Sequence, residues 1–233
     1  MIAPRHFRVL GLFGLLVLLR CAPSASAQSE SAEEIQIQSA PTGTLTFQDR
    51  LELERRLNFS PANFAVPALE AGFRMEFPLR GEPANWHEGV GGFARNYAAD
   101  FALTTTAGFG RFVTDTAVRH DPRYYPSTSA NYGRRFLHAL AFTVVDNTDS
   151  GRRSIAYGNL TGAFAAGGVS MAMYPHGFND FTHAEQRFKL QVLNFGVHNL
   201  FAEFAPEVTR AARFLRIPDR VSGSLLPADR KEP

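Results

Sequence analysis

Apolar side chains recur along residues 86–204 at the spacing of a helix face, and three clusters of turn residues cut that pattern. Val90, Phe93, Tyr97, Phe101, Phe109 and Phe112 trace one such stripe, which predicts a long helix over residues 86–119. Asn85 followed three residues later by Glu88 reads as its cap, and Pro122 blocks its continuation. Thr104, Thr105, Thr106, Gly108 and Gly110 weaken helix propensity midway and predict a bend. A second helix is expected over 132–145, stopping at the turn cluster Asn147-Thr148-Asp149-Ser150-Gly151. A third is expected over 155–174, halted by Pro175 and Gly177. In the fourth, Phe188, Val192, Phe195, Asn199 and Phe204 follow a Thr182/Glu185 capping box, and Pro206 ends it. Leu193, Val197, Leu200 and Phe201 widen its apolar face, and a short helix is expected over 207–215.

Upstream of this body the pattern changes. Thr46 with Asp49 reads as a capping pair for a helix ended by Pro61, and a shorter piece is expected over 62–73. Residues 28–43 carry no apolar period and read as a flexible leader. Residues 1–27 have Arg5 and Arg8, an uncharged run from Val9 to Leu19, and Ala25-Ser26-Ala27, the form of a cleaved signal peptide. Arg20 stands where a lipoprotein signal carries a small residue, which disfavours Cys21 as a lipidated terminus. The expected organisation is a signal peptide (1–27), a leader (28–43), one helical domain (44–216) and a loose tail (217–233). Its fold class is all-α, a bundle of about four main helices with short N-terminal helices alongside. An outer-membrane β-barrel is the alternative, prompted by the aromatic- and Gly-rich stretch 91–110.

Loss of residues 1–27 removes Arg5, Arg8 and Arg20 and no carboxylate, so the formal charge moves from +2 to −1. That excludes a general binder of nucleic acid, which needs a positive field. Cys21 is the only cysteine and lies before the cut, so neither disulfides nor thiolate chemistry are expected.

Residues 155–174 contain no charged side chain. Gly158, Gly162, Ala166 and Ser170 recur every fourth residue, a glycine-zipper-like stripe that lets two helix backbones approach closely. Leu160, Phe164 and Met171 project roughly opposite. The Ala/Gly-rich composition, diluted by Asn159 and Thr161, favours a core helix clasped by neighbours over a membrane span.

Candidate chemistry is sparse. His120, Asp121 and Asp149, with Asp146 close in sequence, could supply acid–base catalysis if their loops converged. Loop aspartates beside Pro or Gly serve more often as turn formers, so no catalytic residue is expected to be firmly identifiable. No His or Asp spacing forms a metal motif, and no phosphate loop, nucleophile elbow or dinucleotide fingerprint points to a cofactor.

His120-Asp121-Pro122-Arg123-Tyr124, Thr148-Asp149-Ser150-Gly151 and Asn159 before the Ala/Gly helix and Tyr174-Pro175 together resemble a family of exported bacterial proteins of acidobacterial type. The Arg56…Pro61…Phe64 and Gly92…Tyr97-Ala98-Ala99-Asp100 stretches are similar too, while Asn147 and Phe204-Ala205-Pro206 depart from the pattern. The resemblance covers about residues 46–215 and implies export and helical structure but no activity. The expected role is therefore structural or interactive, in the periplasm or the outer envelope, with an envelope protein or a membrane surface as partner. A periplasmic hydrolase using the loop Asp and His residues, or a membrane-inserted helical protein, are the alternatives.

Overall fold

The computed structural model describes residues 44–78 and 82–214, apart from the side chains of Pro61 and Ala62. The expected signal peptide, leader and tail lie outside the described residues.

The described residues are mostly helical, as the apolar spacing predicts. Helix α1 (Phe47–Asn58) begins at a capping box in which the Thr46 hydroxyl accepts from the Asp49 N–H while the Asp49 carboxylate accepts from the Thr46 N–H. Pro61 does not merely end α1. Its fixed φ suits the first turn of α2 (Pro61–Glu76), where Ser60 caps the Asn63 N–H. A 3₁₀ turn at Ala84–Trp86 precedes α3 (Gly89–Val118), so the long helix starts at Gly89 rather than at Trp86. The stretch with the expected bend lies within one continuous helical segment, and Gly108 and Gly110 act as contact points. A Cβ on Gly110 would lie 2.9 Å from the Gly162 Cα.

After α3 the structure departs from the sequence expectation. Arg119 takes the left-handed conformation (φ 58°) and turns the chain out of the helix into β1 (His120–Asp121). Helix α4 (Tyr132–Ala141) is shorter than expected, and Val145 lies in β2 (Val145–Thr148). The turn cluster closes a hairpin to β3 (Arg153–Ile155), with Gly151 at φ 77°. The strands form an open antiparallel sheet, β1-β2-β3, pairing His120 with Thr148, Asp121 with Asn147, and Asp146 with Ser154. This is the described β structure, and the barrel alternative is set aside.

Helix α5 (Tyr157–Met173) follows, then α6 (Phe181–Glu203) and α7 (Ala205–Phe214). Asp180, not Thr182, caps α6, because its carboxylate reaches the His183 N–H at 3.0 Å. Pro206 falls in the first turn of α7, where its missing N–H costs nothing.

Helix α5 packs between α3 and α6, α3 carries α1 and α2 on its other side, and α4 packs on α6. The small-residue stripe makes this possible. The Gly162 position lies so close to the Ala107 carbonyl of α3 that a Cβ would sit 2.2 Å from its oxygen, and Gly167 meets the Ala184 carbonyl of α6 at 2.9 Å on the same measure. Ala166 joins Trp86, Ala99, Leu103, Ala107 and Tyr174 in the main apolar cluster, and the buried Ser170 hydroxyl donates to the Gly167 carbonyl. The shallow face of α5 is thus gripped as expected. Its bulky face is not clasped, and Phe164 is 69% exposed.

The same inversion runs through the rest of the domain. Of the α3 stripe, Val90 and Phe109 are exposed, and Phe93, Tyr97, Phe101 and Phe112 are half-buried. Phe101 lies against Phe64 of α2 and Phe112 against Phe47 of α1, while Asn96, Asp100, Leu103, Ala107 and Asp115 are buried. Among the described residues, most of the buried apolar side chains are alanines, and the largest fully buried side chain is Glu203.

Candidate functional site

Of the four sequence candidates, His120 and Asp146 meet at the junction of α3 and the sheet, while Asp121 and Asp149 are each held by an arginine. The left-handed turn at Arg119 places His120 under the end of α3, and the Arg119 carbonyl accepts from the Asp149 N–H. Arg50 of α1 joins the two loops, with one Nη donating to the His120 carbonyl and the other pairing with the Asp149 carboxylate at 2.5 Å. Asp149 is therefore a structural clamp.

Asp121 is also consumed. Its carboxylate accepts from the Arg123 backbone N–H, the Arg123 guanidinium at 2.6 Å and the Tyr125 hydroxyl at 2.8 Å. Burial pushes its pKa up, but these hydrogen bonds outweigh burial and hold the carboxyl below its ordinary range. An acceptor saturated in this way is a poor general base.

The His120 ring faces two other carboxylates. Its Nδ1 lies 4.0 Å from Asp115 Oδ1, and Asp146 of β2 completes the group, with one ligand atom from each residue lying within 4.8 Å of the other two. All three side chains are buried. The Asp115 oxygens and His120 Nδ1 make no hydrogen bond, and Asp146 uses only Oδ1, which accepts from the Asn147 N–H. Arg111 approaches Asp115 Oδ2 at 3.4 Å and donates to the Pro122 carbonyl. Burial raises both carboxyls above the ordinary range. Arg111 opposes that rise, and for Asp146 the nearby Asp115 adds to it.

No protein-family model, curated protein or solved structure matches the chain. The site therefore stands on its own geometry. Asp146 is a sequence candidate, but Asp115 shows in the sequence only as a polar break in the α3 stripe. The signal that could have found it is Arg111 four residues earlier, on the helix face that meets the glycines of α5. Gly158, expected only to pack helices, also makes room for this group, since a Cβ there would lie 2.1 Å from Asp115 Oδ1.

A second polar cluster lies at a cleft of about 60 Å³ between α2, α3 and α6, lined by Glu70, Arg74, Glu82, Asp100 and Arg187. Arg74 binds Asp100 at 2.9 Å and Glu82 at 3.2 Å. Tyr174 stacks on Trp86 at 4.6 Å and carries Arg187 over its ring at 3.4 Å. Burial pushes the Asp100 carboxyl up to about 7, although Arg74 pulls it down, with Glu70 and Glu82 pushing it further. The unfolded chain would release that proton near 3.8. The protonated folded state is thus favoured fully below the unfolded value, and the gain is lost as pH rises through the folded one. Urea titrations should show stability falling by about 1–2 kcal/mol from pH 5 to pH 8. Asp100→Asn should flatten that slope, and an unchanged slope would rule Asp100 out as its source.

Proposed function

We propose that the protein is an exported cell-envelope protein that works by interaction rather than turnover, and that the surface it meets is lipid. The carrying observation is a partly inverted distribution of side chains, with Asp, Asn, Glu and Arg buried beside a core made mostly of alanine, and many large apolar groups exposed. Leu190, Leu193, Val197 and Phe201 make an exposed stripe along α6 at helical spacing. Phe136, Leu137 and Leu140 do so on α4, and Tyr157, Phe164 and Met171 on α5. In water such stripes are costly, whereas each half-exposed Leu or Phe that enters lipid contributes about 1 kcal/mol.

The interior supports the same reading. Helices that face lipid gain nothing from apolar contacts with each other, so they associate through small residues and paired polar groups, as α3, α5 and α6 do. No described helix is long and apolar enough to cross a membrane. The reading needs only lateral seating of the stripes against acyl chains. The export address over residues 1–27 and the family resemblance support placement in the envelope. The hydrolase alternative gains less support, because Asp121 and Asp149 are occupied by Arg123 and Arg50.

Flotation with phosphatidylethanolamine–phosphatidylglycerol vesicles tests the proposal. The protein should rise with the vesicles at high salt, and Leu137→Glu with Phe201→Glu should lower the bound fraction about tenfold. Protein left at the bottom of the gradient sinks the reading, as does a vesicle-free dimer that the same substitutions dissociate.

A further inference from the structure

We propose that Asp115, His120 and Asp146 bind a single divalent metal ion of the zinc class. The argument starts from unmet chemistry. One ligand atom from each of Asp115, His120 and Asp146 lies within 4.8 Å of the other two, and Asp115 Oδ1, His120 Nδ1 and Asp146 Oδ2 are buried with no hydrogen-bond partner. Buried acceptors left in that state are costly, and the 4.0 Å gap from His120 to Asp115 is too long for a hydrogen bond. A cation at their centre satisfies all three at once.

The charge balance agrees. Arg50 is paired with Asp149 and Arg123 with Asp121, so Arg111 is the guanidinium in direct contact with Asp115. One imidazole with two carboxylates suits zinc or its neighbours better than the all-oxygen shells of calcium and magnesium. Metal–ligand bonds of about 2.1 Å set the atoms of a tetrahedral shell about 3.4 Å apart. Loading would therefore draw the last turn of α3, β1 and β2 together by about an ångström. The frame is suited to this. The β1–β2 register fixes His120 relative to Asp146, and Gly158 leaves the Asp115 carboxylate its space. A narrow cleft bordered by Arg50, Arg111 and Pro122 ends on Asp115 and, at about 10 Å³, has room for roughly one water beside that carboxylate.

This site does not depend on lipid binding, and its test is separate. The full chain, stripped with chelator, is titrated with zinc chloride and, in parallel, calcium chloride, following bound metal and melting temperature. The expected result is one zinc per chain, with melting raised by about 5–10 °C at a hundredfold excess over Kd. His120→Ala and Asp146→Asn should each weaken binding by at least about 100-fold, while the exposed His176→Ala leaves it unchanged. X-ray absorption of the zinc-loaded natural chain should show a single imidazole among oxygen ligands, a readout independent of how the variants fold. The proposal is overturned by absent binding, by preference for calcium, by binding that survives both substitutions, or by a spectrum with no imidazole or several.

Discussion

Replacing Gly162 by alanine is expected to destabilise the fold by about 3 kcal/mol, near the upper end for overpacking a closed interior. The added methyl would lie 2.2 Å from the Ala107 carbonyl oxygen and 3.1 Å from the Arg111 nitrogen, both backbone atoms of α3. No rotamer change relieves a backbone clash, so α5 must move away from α3 along its length. That movement opens the main apolar cluster around Leu103 and Ala166 and shifts Asp115 relative to β2. Gly168 is the matched control. It lies in the same helix, and a methyl added there would have nothing within 4 Å, so alanine should stabilise by about 0.5–1 kcal/mol through backbone entropy alone. Chemical denaturation of the two variants decides the matter. Similar small effects at both positions would mean that α3 and α5 are not pressed together as described.

Features set by local chemistry were legible in the sequence. Thr46 with Asp49 is a cap wherever it occurs before a helix former, and the four-residue recurrence of Gly158, Gly162, Ala166 and Ser170 has few uses other than close helix contact. The sheet was not legible, because strands of two to four residues are too short to show alternation. In the sequence His120 consequently looks like the charged end of a helix, although the left-handed Arg119 has already ended it.

The larger difference between sequence and structure is one of sidedness. Helical spacing reveals that a stripe exists but not which way it points, and an apolar stripe by default points inward. On α3 and α6 the polar and small residues have the neighbours instead, so Asn96, Asp100, Gln191 and Asn199 are inside while Phe109, Leu193 and Phe201 are outside. The buried cluster was hidden for a related reason. Asp115, Asp121, Asp146 and Asp149 are indistinguishable as letters, and only the positions of Arg50 and Arg123 decide which two are neutralised. What remains, Asp115 and Asp146 around one imidazole, is the part left for a ligand.

The other large effect is expected at Glu203, where alanine should cost about 3–5 kcal/mol. Glu203 ends α6 with its side chain wholly buried, and its carboxylate accepts from three separate groups. Arg135 of α4 donates through Nε at 2.9 Å, the buried Tyr124 hydroxyl at 2.7 Å and the Ser127 N–H at 2.9 Å. Arg135 also donates to the Glu203 carbonyl, binds Glu207 at 2.5 Å and lies over the Phe204 ring at 4.5 Å. Removing the carboxylate strands a hydroxyl, an amide and part of a guanidinium away from water. The penalty comes from those orphaned donors rather than from lost attraction. Glu203→Gln keeps an acceptor oxygen and the shape but loses the charge, so about half the loss should return. Glu207→Ala should cost no more than about 1 kcal/mol, because that carboxylate is partly in water and Arg135 retains Glu203. Urea titrations of the three variants provide the check. A Glu203→Ala protein within about 1 kcal/mol of the natural chain would show that the 122–131 segment is not held to α6 by this carboxylate. The path from the His120 cluster to α4 would then lack its anchor.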